Sequence, residues 1–139
     1  FASRDSEATY DFYHNKLGMP LVRTENHLVG EGYFRHFFFD IGAGQLIGFF
    51  EVHNVGESED YATDFSKSVG LPPWVNHVAF KVDDEEAYEA MKVRLKENGV
   101  VTLGEVDHDW CKSIYLADPN GLTLEYCFTR PNVDIIQTL

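Results

Sequence analysis

The sequence predicts an α+β fold: two tandem β-α-β-β-β modules whose sheets lie side by side and curl into a cup, with the helices on the outside. Three observations carry this expectation. The chain repeats itself. "FASRDSEATYDFYHNKLG" from Phe1 and "FKVDDEEAYEAMKVRLKENG" from Phe80 both run from a strand end through an acidic helix start and an amphipathic helix to a glycine. Phe1, Asp5, Glu7, Ala8 and Phe12 fall on Phe80, Asp84, Glu86, Ala87 and Met91 at an offset of 79. Three strand-like runs follow each helix, and the last two of each set are joined by a glycine-bearing turn, "DIGAGQ" and "ADPNGL".

Taken in order, the first module (1–53) begins at a strand end on Phe1. Its helix is opened by Asp5 or Ser6 and closed by Gly18. Strands are expected over 20–24, 34–40 and 45–52. A polar, Gly/Pro-bearing linker (54–73) is long enough to cover a site. The second module (74–129) opens with "WVNHVAFKV", which reads as a buried strand carrying one imidazole, His77. Asp83 with Glu86 resembles a capping box for the second helix, and Gly99 ends it. Strands are expected over 100–106, 111–117 and 122–128, and a tail follows (130–139). The whole is read as one domain.

Composition narrows the function classes. The chain has 139 residues, 44% hydrophobic and 24% charged, which suits a single domain with a real core. A net charge of −12 repels phosphate backbones and anionic lipid, so nucleic acid and membrane are not expected partners. No run reaches the ~20 apolar residues of a membrane span. Two cysteines, Cys111 and Cys127, make no disulfide framework; they read as buried, reduced thiols of a cytoplasmic protein.

Strand alternation assembles a candidate site. A hairpin centred near Asn120 sets Tyr115 opposite Glu125 and Ser113 opposite Cys127. Tyr115, Ser113, Thr123, Glu125 and Cys127 then share the cup face. Ile114, Leu116, Leu122, Leu124 and Tyr126 share the face a helix covers. With Val78 and Phe80 under the helix, His77 joins Glu125 in the cup. Imidazole and carboxylate suit a borderline divalent ion, and at least a third ligand is needed. The repeat counterpart of His77 would precede Phe1. The counterpart of Glu125 is Gly48, so the first module offers no carboxylate there. His36 falls on Ser113 and Phe38 on Tyr115, which places both in the cup. His108 sits at its mouth. His14, His27 and His53 read as surface residues, and Phe37, Phe38, Phe39, Phe49 and Phe50 as mostly core.

The paired modules, with "NHVAFKVDDEEAYEAMKVRLKENGV" and "DHDWCKSIYLADPNGLTLEYC", resemble the vicinal-oxygen-chelate superfamily: glyoxalase I, extradiol dioxygenases, fosfomycin-resistance enzymes and bleomycin-resistance binding proteins. The resemblance implies a metal-dependent enzyme in which a divalent ion chelates adjacent oxygens of a small organic substrate. It implies His77 and Glu125 as metal ligands and Tyr115 as a catalytic group; by their places in the cup, His36 is a catalytic acid–base candidate or a support to the ligands, and Phe38, His108 and Ser113 are candidate substrate contacts. Fe2+ is the first expectation, with Mn2+, Zn2+ or Ni2+ as alternatives. Gly48 is unlike glyoxalase I, whose first module supplies a carboxylate. Tyr115, Pro119, Gly121 and Glu125 match the extradiol pattern Y-x-x-x-P-x-G-x-x-x-E, which ranks an extradiol-like reaction first. Asp60, Tyr61, Ala62 and Thr63 stand where those enzymes carry a catalytic histidine. A glyoxalase-like lyase or isomerase is the alternative, and a metal-free binding cup the rival class. The resemblance and the sheet edges together imply a homodimer.

Overall fold

Helix formation at the N-terminus starts from a side chain. Asp5 accepts a hydrogen bond from the Ala8 N–H at 2.9 Å and caps α1 (Ser6–Tyr10). The helix widens into a π-helical stretch over Asp11–Lys16, which the sequence periodicity does not announce. Gly18 ends it at φ +73°, with the Arg94 guanidinium packed where a Cβ would stand. The computed structural model describes residues 1–133; residues 134–139 of the expected tail lie outside the described residues.

Three antiparallel strands follow in the order β1 (Leu21–Val29), β2 (Gly32–Gly42) and β3 (Gln45–His53). The first is longer than the expected 20–24. A two-residue turn at Gly30–Glu31 lets β1, with its polar residues, pair with β2 from Gly32 to Phe39. The opening strand is reduced to one parallel bridge, Ala2 to Phe50. That bridge matches the Lys81–Cys127 pair of the second module, so the repeat holds at the level of single hydrogen-bonded positions.

In the second module β4 (His77–Val82) lies parallel to β7 (Thr123–Thr129) at one edge of a sheet ordered β4-β7-β6-β5, with β5 at Thr102–Asp107 and β6 at Cys111–Ala117. Two expectations are corrected. Trp74 and Val75 are exposed and lie before the strand, because Pro72–Pro73 starts a turn rather than a ladder. The cap of α2 (Glu85–Glu97) is Asp84, not Asp83: its carboxylate accepts from the Ala87 N–H at 2.7 Å. The pairing of Tyr115 with Glu125 and of Ser113 with Cys127 is as the turn predicts.

The core is one apolar cluster that joins both modules: Tyr13, Phe37, Phe39 and Phe49 from the first, Phe80, Tyr88, Leu116 and Leu124 from the second. A buried polar knot sits at the junction. The Tyr13 hydroxyl donates to Asp118 at 2.9 Å, and the Asn120 amide donates to Thr9 at 3.2 Å. Burial raises the Asp118 pKa, against the donors around it. No helix is long and apolar enough to cross a membrane among the described residues.

Candidate functional site

Glu125 is a buried carboxylate in the middle of β7. The parallel pairing of β4 with β7 brings His77 to it, and His77 Nε2 lies 2.8 Å from Glu125 Oε2. The other ring nitrogen, Nδ1, lies 2.9 Å from the Trp74 carbonyl oxygen. A carbonyl only accepts, so Nδ1 carries the proton that makes this bond. In the neutral ring Nε2 is then a bare lone pair facing a carboxylate. Two acceptors at this distance repel unless a proton or a cation sits between them. Two ligand atoms each ~2.1 Å from one ion at a right angle lie about 3 Å apart. The donor set and its spacing therefore fit a divalent metal. Among the described residues no third His, Cys, Asp or Glu gathers with this pair to make a metal cluster.

The supports of the pair are hydroxyl groups. The Ser113 hydroxyl donates to Glu125 Oε1 and is itself fully buried. Ser113 was expected to contact substrate; the structure gives it the carboxylate instead. Tyr115 stands beside the pair, its ring 6.0 Å from the His77 ring. Burial, then the nearby Glu125 charge, raises the Tyr115 pKa, so its hydroxyl stays protonated. His108 Nε2 lies 3.2 Å from that hydroxyl. A cavity of about 460 Å3 opens at this place, lined by Pro73, Trp74, His77, Leu103, Gly104, Val106, Tyr115 and Thr123.

The first module contributes a different surface. His36 stacks on Phe50 with ring centroids 3.7 Å apart and meets Phe38 at a tilt of 47°, with centroids 4.0 Å apart. These rings fill the space at Gly48, where a Cβ would meet His36 Nε2 at 3.2 Å. Burial lowers the His36 pKa, which favours the neutral ring. His36 and Phe38 do face away from the core, as alternation predicts, yet they are not among the residues lining the cavity at His77. His14 is not a free surface group: its Nδ1 accepts from the Leu21 N–H at 3.0 Å. His53 pairs with Glu51 at 3.1 Å and stacks on Tyr33, while His27 pairs with Glu25. Phe37, Phe39 and Phe49 are buried, whereas Phe50 stays 39% exposed.

The family model of the Glyoxalase/Bleomycin resistance protein/Dioxygenase superfamily matches residues 1–126. The chain belongs to this superfamily. A lactoylglutathione lyase of Neisseria meningitidis serogroup A is 32% identical over 133 residues, covering 94% of this chain and 87% of that protein. Among solved structures of the superfamily fold, a glyoxalase family protein from Enterococcus faecalis superposes with a TM-score of 0.66 at 24% identity, covering 91% of this chain and 90% of that one. The fosfomycin resistance protein FosX from Listeria monocytogenes gives 0.61 at 22%, covering 94% and 89%. These two likenesses establish the fold, and the superfamily hosts several chemistries on it.

Two site features were missed by the sequence reading. Thr123 donates from its buried hydroxyl to the Pro73 carbonyl at 2.8 Å, and Trp74 supplies the carbonyl that orients His77. Alternation had already put Thr123 on the cup face. Its partner is a loop carbonyl, which no periodicity reveals.

Proposed function

We propose that this superfamily member is a metal-dependent enzyme acting on a small organic molecule with two adjacent oxygens, with His77 and Glu125 as the protein's metal ligands. The observation that carries the reading is the 2.8 Å approach of His77 Nε2 to Glu125, with Nδ1 already committed to Trp74. Outer contacts of this kind, on both an imidazole and a carboxylate, are what orient metal ligands. A divalent ion supplies Lewis acidity there when bound. The chain's own groups do the rest. Trp74, Leu103 and Val106 give the cavity an apolar wall against which a small organic substrate packs. The Tyr115 hydroxyl donates a hydrogen bond to a substrate oxygen as negative charge develops on it. With its one proton so used, the Tyr115 oxygen accepts from His108 Nε2–H, which holds the hydroxyl in place.

Proton-transfer chemistry of the lyase or isomerase type is the first reading, since the 32% identical relative is a lactoylglutathione lyase. This reverses the order expected from the ligand set. Extradiol-like ring cleavage is second. It keeps the Tyr115-to-Glu125 spacing, but the Tyr61 stretch supplies no acid–base group: the Tyr61 hydroxyl donates to the Ser3 carbonyl at 2.5 Å and accepts from the Val52 N–H. Imidazole and carboxylate donors admit Fe2+, Mn2+, Zn2+ or Ni2+. The test is reconstitution with each of the four ions, followed by assays of 2-oxoaldehyde–thiol adducts and of catechols. Metal-dependent turnover of one class, abolished in His77→Ala, is expected. Ligand binding in the cavity with no metal dependence would make the cup a sequestering module instead.

A further inference from the structure

We infer that Thr123 is a positioning residue for His77, acting through the Pro73–Trp74 strap that crosses one wall of the cavity. The inference rests on the metal-ligand reading of His77. Three bonds fix the strap. The buried Thr123 hydroxyl donates to the Pro73 carbonyl at 2.8 Å. The buried Ser66 hydroxyl accepts the Asn76 N–H at 2.8 Å. The Val75 N–H closes a turn on the Pro72 carbonyl at 3.1 Å. Pro72 and Pro73 have fixed φ and no N–H, so this part of the strap has few alternative conformations and attaches only through its carbonyls. The next carbonyl along, that of Trp74, is the one His77 Nδ1 contacts at 2.9 Å.

Register links the two ends. Thr123 is the cross-strand partner of His77 in the parallel β4–β7 ladder, and it lies two residues before Glu125 on the same face. One strand therefore supplies the carboxylate directly and, through the strap, fixes which nitrogen of the imidazole keeps its proton. Without the Thr123 hydroxyl the Pro73 carbonyl loses its anchor, and the Trp74 carbonyl is free to turn from His77. The ring can then place its proton on Nε2 and donate it to Glu125, a tautomer with no lone pair to offer an ion.

The experiment compares the full chain with Thr123→Val, which keeps the shape, and Thr123→Ser, which keeps the hydroxyl. Two quantities are read: Zn2+ affinity by competition with a chelator, and the His77 tautomer of the metal-free protein by 15N NMR at mildly alkaline pH. The wild type is expected to hold its proton on Nδ1. Thr123→Val should bind Zn2+ about 10- to 100-fold more weakly and lose that tautomer preference, while Thr123→Ser stays near wild type. Equal affinity and an unchanged tautomer in a folded Thr123→Val protein would overturn the inference. If Thr123→Val does not fold, the wild type decides: a proton on Nε2 overturns the inference and one on Nδ1 supports it. A wild type that takes up no Zn2+ counts against the metal reading, and the tautomer comparison still judges the strap.

Discussion

At the scale of residues, Ser113, His77 and Tyr115 around Glu125 each have a polar partner. Ser113 takes Oε1, His77 faces Oε2, and His108 takes the Tyr115 hydroxyl. Tyr115→Phe keeps the ring and removes the donor. Turnover on the true substrate is expected to fall roughly ten- to a thousandfold with little change in melting temperature, measured by steady-state kinetics and calorimetry. Unchanged turnover would make Tyr115 only a wall. Ser113→Ala leaves a buried carboxylate oxygen short of its donor, so metal affinity is expected to drop about 10- to 100-fold by titration. The face shared by Tyr115, Ser113 and Glu125 was legible because alternation from one turn at Asn120 dictates it. The task of Ser113 was not, since alternation says which way a side chain points and not how deep it lies.

At the scale of elements, the repeat made both helices and the order of all seven strands readable. Boundaries shifted where a single hydrogen bond decides them. Asp83 and Asp84 are equivalent by composition, and only the bond to the Ala87 N–H selects Asp84. The π-helical turn over Asp11–Lys16 left no mark in the sequence, because the apolar residues Phe12, Tyr13 and Leu17 suit either winding. The junction knot was equally hidden: Tyr13 and Asp118 are 105 residues apart. Tyr13→Phe removes a donor from the buried Asp118 carboxylate, so denaturant unfolding is expected to show a loss of about 1–3 kcal/mol. A variant as stable as the wild type would show that solvent or Asn120 satisfies Asp118 unaided.

At the scale of the molecule, two sheet faces remain partly uncovered. One carries His36, Phe38 and Phe50; the other carries Leu103 and Val106, beside the loop residue Trp74, which is 65% exposed. Apolar area left open on both modules is the pattern a two-fold assembly covers, so a homodimer is proposed, with light scattering expected to give twice the chain mass. A monomer at high micromolar concentration would contradict it. The two-module architecture was legible because each module repeats one pattern of turns and strands. That His36 and Phe38 do not line the His77 cavity was not, because repeat equivalence places residues within a module and is silent on how modules face each other. The central claim, that His77 and Glu125 form the metal site, is tested most directly by metal titration of chelator-treated protein, read by elemental analysis after desalting. Wild-type protein is expected to retain about one divalent ion per chain, and folded His77→Ala and Glu125→Gln proteins to retain far less. Equal retention by all three, or none by the wild type, would contradict the account.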